Sequence, residues 1–236
     1  ALVTDLTKVV LGDASTVTVS GAVTAKQGAD IAGVAKATAT FSNGVADALD
    51  KLAASGAITT DLTGLLADDA TVTITINDAG TLTAAAADLK AVGGATSGAV
   101  NVANAAAISG TAADVTAALV DAETKVALDT ASTVSVSDAV SASAGAAIAG
   151  VSNATATYAG GVADAMANLY DTGAPGVTSD LNDFLLADND AAIAVTDTSG
   201  SIKAADLSAL QAANAAGGVT LSGAATPSAT VTVTGN

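Results

Sequence analysis

The sequence contains no cysteine, no histidine and no tryptophan among its 236 residues. Without cysteine and histidine there can be no disulfides, no thiol or imidazole catalysis, and none of the usual haem or zinc sites. The aromatic residues are two Phe and two Tyr. They are too few to form a carbohydrate-stacking platform, so we interpret them as core residues.

Positive charge is also scarce, since all seven basic residues are lysines against 23 acidic ones, and the net charge is −16. Such a chain is repelled by phosphate backbones, which argues against a nucleic-acid partner. No run of 18 large apolar residues predicts membrane insertion. The first residues lack a basic region followed by a hydrophobic core, so any export signal is expected to have been removed or to lie elsewhere in a longer precursor.

The remaining composition is typical of a folded chain built from small side chains. Half of the residues are hydrophobic and only 13% are charged, and the mean hydropathy is +0.55. Disordered segments have the opposite combination of low hydrophobicity and high net charge. Ala, Val, Ile and Leu must therefore fill a core in which backbones approach each other closely.

The sequence is internally duplicated. Shifting it by 117 residues superimposes residues 16–55 on residues 133–172 with 23 identities in 40 positions. Further matches extend from Ala1 over Ala118 and, after small insertions, from Leu66 over Leu186. We therefore divide the chain into a first repeat, residues 1–117, and a second repeat, residues 118–236, whose last segment has a strand-like pattern.

Within each repeat, strand-like patterns alternate with helix-like ones. Alternating residues predict strands at 16–20, 38–42, 71–76, 99–103, 133–137, 155–158, 191–195 and 219–222. Apolar residues at helical spacing follow most of them, such as Val45, Leu49 and Leu52, or Val162, Met166 and Leu169. A strand followed by a helix, repeated every 22 to 36 residues, predicts an α/β fold with parallel strands.

The predicted strands place apolar residues on one face and Thr or Ser on the other, as in Thr16-Val17-Thr18-Val19. Parallel strands that are covered on both faces are instead apolar throughout. We therefore predict a solenoid of tandem βα units, with helices on one face of the parallel sheet and a Thr-rich face opposite. The sequence contains no nucleotide-binding G-x-G-x-x-G or P-loop motif.

A short Ala-Asp pattern recurs along the chain. We interpret each of its carboxylates as lying near the start of the helix that contains or follows it, where a negative charge is favoured. Catalytic carboxylates need neighbours with different environments, and a single repeated environment does not provide them, so we do not expect an enzyme. The aspartates of this pattern are Asp30, Asp47, Asp88, Asp114, Asp164 and Asp206.

A second group of aspartates lies where the chain approaches or leaves a strand. Clusters of carboxylate oxygens suit Ca²⁺, a hard cation that takes six to eight oxygen ligands. The alternative is a solvated turn in which the aspartates accept local backbone N–H groups. The candidate calcium ligands are Asp68, Asp69, Asp78, Asp188, Asp190 and Asp197.

The Thr residues allow two interpretations. Pairs such as Thr16/Thr18 and Thr38/Thr40 could align in ranks on one flat face, similar to an ice-binding surface. The alternative is that Thr has a high β propensity and covers a sheet that faces solvent. Ser, Ala and Asn interrupt the ranks, which favours the second interpretation.

Three segments, ISGTAADVTAALV, NDAGTLTAAAADLKAV and DTSGSIKAADLSAL, resemble the Ala/Thr/Asp-rich repeats of large secreted bacterial cell-surface proteins, of the kind found in cyanobacteria. Such repeats often accompany haemolysin-type calcium-binding adhesins. The resemblance implies an extracellular or cell-surface location and a structural or adhesive role. We expect a structural subunit that polymerises with itself into a filament, sheath or surface layer. The alternative is an adhesin stalk or a module that binds calcium, surface glycans or ice.

Overall fold

The computed structural model describes residues 11–121, 126–198, 200–214, 216–222 and 231–234, with backbone only at 200 and 231–234. It is a mixed α/β structure with parallel sheets, which confirms the predicted fold class. The helices are α1 (Ala25–Ala32), α2 (Leu49–Leu52), α3 (Thr60–Leu66), α4 (Ala86–Ala95), α5 (Ala112–Val115), a π-helical turn (Thr116–Val120), α6 (Ala142–Ala149), α7 (Met166–Leu169), α8 (Ser179–Ala187) and α9 (Ala204–Ala213).

The strands include one within each segment that the alternating patterns predicted, together with others that the patterns did not show. They are β1 (Ser15–Val19), β2 (Ala37–Phe41), β3 (Val45–Asp47), β4 (Ala53–Ala54), β5 (Ala57–Ile58), β6 (Ile74–Ile76), β7 (Leu82–Ala85), β8 (Val100–Val102), β9 (Ala106–Gly110), β10 (Val126–Ala127), β11 (Ser132–Val136), β12 (Ala154–Tyr158), β13 (Val162–Asp164), β14 (Tyr170–Asp171), β15 (Gly176–Val177), β16 (Ile193–Val195), β17 (Gly200–Lys203), β18 (Val219–Leu221) and β19 (Val231–Thr234).

The chain forms two compact units that interrupt each other in sequence. Unit one consists of the described residues within 1–108 and 117–132, and unit two of those within 109–116 and 133–236. The units therefore differ from the sequence repeats in the placement of residues 109–116 and 118–132.

Unit one is organised around a parallel sheet with strand order β10-β8-β6-β3. Val45, Ile74, Val100 and Val126 lie at equivalent positions of its successive strands. All but Val126 are fully buried. β1 and β2 form a separate parallel pair, and β4 and β5 a short antiparallel one. Each successive strand of the main sheet belongs to the next pass of the chain, where a pass is one strand of this sheet together with the segment that leads to the next.

Unit two repeats this organisation in its parallel sheet β13-β16-β18. Val162, Ile193 and Val219 are the positions equivalent to Val45, Ile74 and Val100. A parallel pair, β17 and β19, and an antiparallel pair, β14 and β15, are also present. The duplication that is visible in the sequence is therefore also a duplication of strand pairing.

Side chains alternate between buried and exposed along the longer strands. In β11, Val134 and Val136 are almost completely buried whereas Thr133 and Ser135 are exposed. Exposed threonines also lie in β1, β2 and β12, at Thr16, Thr18, Thr38, Thr40, Thr155 and Thr157. One face of these strands thus contributes to the core and the other is solvated, as the period-2 pattern predicted.

Other hydroxyl side chains lie at the starts of five helices and cap them. The hydroxyls of Thr24, Thr59, Thr111, Ser141 and Thr178 each accept a backbone N–H from the first turn of the helix that follows. Such N-caps satisfy N–H groups that have no partner within the helix. The abundance of Thr thus reflects two local structures, exposed strand positions and helix starts.

Two segments that the spacing predicted as helical begin as strands. Val45 and Val162 have the i, i+4, i+7 relation to residues of α2 and α7, yet each lies in the parallel sheet. The glycine before each valine has a positive φ, +74° at Gly44 and +66° at Gly161. This conformation turns the chain out of the preceding strand and into the next one, so the helix starts only at the second apolar residue of the pattern.

No helix within the described residues is both long and apolar enough to cross a membrane.

Candidate functional site

Aspartates at the ends of parallel strands bind the helix starts of the preceding pass of the chain. In unit one, Asp47 ends β3, and its Oδ2 accepts the backbone N–H of Ala25, the first residue of α1, at 3.0 Å. Asp78 follows β6 and its Oδ2 accepts the N–H of Leu49, the first residue of α2, at 2.8 Å. Asn104, which follows β8, donates from its side-chain amide to the Asp78 carbonyl. The strand ends thus form a polar row that joins successive passes.

Unit two contains the same arrangement. Asp138 accepts the N–H of Ala112 in α5, Asp164 that of Ala142 in α6, and Asp197 that of Met166 in α7, at 2.6, 3.1 and 2.6 Å respectively. A carboxylate at a helix start satisfies an orphan N–H group and interacts favourably with the helix dipole. These aspartates therefore act as N-caps supplied from a neighbouring pass.

Asp68 and Asp69 bind along strand β2 instead. The Asp68 carboxylate accepts the N–H of Ala39 at 2.7 Å, and Asp69 accepts that of Phe41 at 2.9 Å. The other oxygen of Asp69 accepts both the N–H and the hydroxyl of Thr71. The two carboxylates thus accept the N–H groups of alternate residues of β2, as the carbonyls of a neighbouring strand would. This protects the edge of the sheet from pairing with another chain.

Asp188 is the counterpart of Asp68 in the second repeat and accepts the N–H of Tyr158 in β12 at 2.6 Å. Burial raises the pKa of the Asp188 carboxyl, and the neighbouring Asp190 raises it further. The Tyr158 ring packs on Phe184 with 4.5 Å between ring centroids, and its hydroxyl donates to the Gly145 carbonyl. Burial also raises the pKa of this hydroxyl above that of an exposed tyrosine.

The predicted calcium ligands are therefore distributed over several scaffold contacts. Asp68, Asp69, Asp78, Asp188 and Asp197 each accept a backbone N–H from a different position, while the sixth, Asp190, is exposed beside Asp188. The described part of the chain contains no group of three or more acidic residues close enough to share a cation. This donor set does not fit a six- to eight-oxygen site formed within one chain. Calcium binding stays a prediction.

The Ala-Asp pattern contains three different environments. Asp88, Asp114 and Asp206 lie in the first turns of α4, α5 and α9, as we predicted for the whole group. Asp30 lies in α1 and pairs with Lys26 at 3.0 Å. For Asp47 and Asp164 the interpretation was incomplete. Each accepts the N–H of the alanine after it, but also caps a helix that starts 22 residues earlier.

One sequence signal could have indicated the distant caps. Helices α2 and α7 begin after Ala48 and Ala165, which have no side-chain cap. A helix start without Ser, Thr, Asp or Asn at its N-cap needs another acceptor. The first aspartate after the next strand of the parallel sheet, Asp78 after β6 or Asp197 after β16, is that acceptor.

The fold and its polar contacts define an α/β protein of two duplicated parallel-sheet units. Comparison with known proteins finds no matching family model, and no curated protein or solved structure with significant similarity.

Substituting Asp190 by Asn should stabilise the protein more at neutral than at acidic pH. The pKa of Asp188 is raised in the folded state, so its contribution to stability is present at low pH and is lost as the pH rises through the folded-state pKa. Removing the neighbouring negative charge reduces that loss. We expect Tm to rise by roughly 1 to 2 °C near pH 7, with no gain near pH 3.

The control for this experiment is Asp183→Asn, which makes the same change of charge at an exposed position of α8. Calorimetric melting of both variants and the wild type at the two pH values separates a local effect from that of net charge. Equal gains from both variants would contradict repulsion between Asp188 and Asp190.

Proposed function

We propose that this chain is a structural subunit of an extracellular bacterial assembly, such as a filament, sheath or surface layer. In this proposal the chain is not an enzyme, its βα passes stack as a solenoid, and it associates with copies of itself through the ends of that stack. The main observation in support is the parallel register of Val45, Ile74, Val100 and Val126, one residue from each successive pass of the chain. An open stack of this kind has two different ends, and contact between unlike ends generates fibres.

The placement of the carboxylates supports a scaffold role. Aspartates that could otherwise bind a ligand accept backbone N–H groups of neighbouring passes, as Asp47, Asp78, Asp164 and Asp197 do. Hydrogen bonds to charged acceptors are stronger than those between neutral groups. A row of such bonds strengthens the stack in the direction in which it would grow.

Charge sets the conditions for the test. Chains with a net charge of −16 repel one another at low ionic strength, and at 0.1 M salt that repulsion is largely screened beyond about 10 Å. Light scattering should therefore detect growth when NaCl or CaCl₂ is added, and electron microscopy of the same samples should show regular filaments or sheets. Growth in CaCl₂ alone, reversed by a chelator, would support calcium bridges between subunits. A monomer at every protein and salt concentration would refute self-assembly.

The second candidate is an adhesin stalk or ligand-binding module, and it is supported by the register of the exposed threonines. Thr16 pairs with Thr38 and Thr18 with Thr40 on adjacent parallel strands, so two short ranks of hydroxyl and methyl groups lie on one face. Thermal hysteresis tests ice as a ligand, and a glycan array tests surface glycans. A calcium-dependent rise in Tm of a protein that stays monomeric would favour calcium as its ligand.

A further inference from the structure

The apolar side chains of the first strand are more exposed in the first repeat than in the second. Val134 and Val136 of β11 are 1% and 0% exposed, and Ile148 of α6 is 1% exposed. Their counterparts 117 residues earlier, Val17, Val19 and Ile31, are all partly exposed. Identical residues in equivalent elements thus belong to the core in the second repeat and to an accessible surface in the first.

The accessible surface is a groove beside β1 and α1. It has a volume of about 470 Å³ and is lined by Val19, Gly21, Ala22, Val23, Gln27, Asp30 and Ile31. Among the described residues, β1 pairs with β2 on one side only. The groove therefore combines apolar side chains with a strand edge that can accept another strand.

In the second repeat, the end of the first repeat lies at the corresponding position. Residues 109–116 belong to unit two, where the backbone N–H of Ser137 donates to the Gly110 carbonyl at 2.9 Å. The N–H of Ala112 donates to Asp138 at 2.6 Å. The end of β9 and the start of α5 thus contact the start of the second repeat.

The last strand of the chain is the counterpart of β9. β7 and β9 are neighbours in their sheet, and β17 and β19 pair in parallel in the same order along the second repeat. The sequence at the end of each of these strands is also similar, with Ile108-Ser109-Gly110 in one repeat and Val233-Thr234-Gly235 in the other. Within the described residues, β19 has a neighbour on one side only.

We infer that the groove beside β1 binds β19 of a second copy of this chain. This contact between two molecules has the same form as the contact between Gly110 and Ser137 within unit two. It adds a parallel strand at the edge of β1 and covers Val17, Val19 and Ile31. The inference rests on the proposed function, since it specifies which surfaces form the head-to-tail interface.

The contact within unit two also fixes the register of the interface. In the β1–β2 pair, Ser42 donates to Val19 while Thr40 lies opposite Thr18. By the same offsets, the Ser137–Gly110 hydrogen bond places Ser135 opposite Ser109. The counterparts of these two residues are Thr18 and Thr234, which should therefore face each other across the interface.

Disulfide trapping tests this register. The chain has no cysteine, so Thr18→Cys and Thr234→Cys each introduce a single thiol. Neighbouring strands lie about 4.8 Å apart, within the range of Cα separations that a disulfide spans. Mixing the two variants under assembly conditions and oxidising them should give a heterodimer, whereas each variant alone should stay largely monomeric on a non-reducing gel.

A third variant, Leu186→Cys, serves as the control for non-specific oxidation, because Leu186 is 78% exposed and lies in α8, which is not part of the inferred interface. Thr18→Cys mixed with Leu186→Cys should give at least about tenfold less heterodimer, since the two thiols share no docked geometry. Equal yields from the two mixtures would overturn the inference.

A charge placed in the groove should weaken assembly. Ile31→Lys puts an ammonium group on the surface that β19 covers, and the side chain can still reach solvent in the monomer because Ile31 is partly exposed. We expect the concentration for half-assembly to rise about tenfold or more. The control is Ala147→Lys, which adds the same single positive charge at an exposed position of α6. This variant should leave the concentration for half-assembly unchanged.

The outcomes distinguish this inference from the proposed function. Assembly of the wild type with no heterodimer and no effect of Ile31→Lys would overturn the β1–β19 interface and leave the structural role standing. A wild type that never assembles would overturn both. If Ile31→Lys does not fold, the yield of heterodimer from the cysteine variants decides the question.

Discussion

Substituting Gly161 by Ala should lower the free energy of unfolding by about 3 kcal/mol, one of the two largest effects that we expect from a single substitution. Gly161 has a φ of +66°, a conformation that costs a residue with a Cβ roughly 1 to 2 kcal/mol. The added Cβ would also lie closer than 3 Å to the carbonyl oxygen of Ala192. That oxygen accepts the N–H of Val162 at 2.8 Å, so relieving the clash disturbs the start of the β13–β16 pairing.

Gly80→Ala separates the two contributions. Gly80 has a φ of +78°, but no atom of the described residues lies within 4 Å of the position that a Cβ would occupy. This variant should therefore lower the free energy of unfolding only by the conformational part, roughly 1 to 2 kcal/mol. Calorimetric melting of both variants measures the difference, and equal losses would show that the approach to Ala192 is unimportant. Gly44→Ala should resemble Gly161→Ala, because its Cβ would meet the carbonyl of Thr73.

The sequence predicts the elements that local patterns determine. The alternation in Thr16-Val17-Thr18-Val19 places β1 to within one residue, and the 117-residue shift predicts the matching strand β11. Both follow from the period of a strand, which needs no knowledge of its neighbours. The segment from Val45 was predicted wrongly because an i, i+4, i+7 spacing also arises when a short strand runs directly into a short helix.

The polar contacts could not be predicted from local patterns, because their partners are 22 to 31 residues apart. Asp47 and Asp164 are each followed by Ala, which suggests a cap for the helix that begins next. Which earlier helix start lies beside a strand end depends on the order of strands in the sheet. The same limit applies to the candidate calcium ligands. Their carboxylates are clustered in the sequence, but in the structure they bind separate backbone donors.

This distribution of contacts explains how a core with only a few aromatic side chains holds successive passes of the chain together. Small side chains bury little area each, and the parallel strands are only three to five residues long at most positions. Carboxylates that bind the backbone of the preceding pass add directional contacts at each strand end. They also make stability depend on a small number of aspartates, among them Asp164, whose carboxylate accepts three hydrogen bonds.

Replacing Asp164 by Ala should therefore lower the free energy of unfolding by about 2 to 3 kcal/mol. Its carboxylate accepts the N–H of Ala142 at 3.1 Å, the N–H of Ala165 at 2.8 Å and the side-chain amide of Asn168 at 2.7 Å. The starts of α6 and α7 lose an acceptor at the same time, and Asp164 is partly buried, so water replaces it incompletely. Asp164→Asn retains one acceptor oxygen and should lose about half as much.

Asp50→Ala provides the matched control, because Asp50 is exposed and, within the described residues, its side chain binds only the neighbouring Lys51, at 2.6 Å. An exposed ion pair contributes little, so this variant should change stability by less than about 0.5 kcal/mol. Both variants remove one negative charge, and a comparison of their melting curves at one ionic strength cancels the effect of net charge. Equal melting temperatures for Asp164→Ala and Asp50→Ala would mean that packing alone positions α6 and α7. The hydrogen bonds of Asp164 to the helix starts would then contribute nothing to stability.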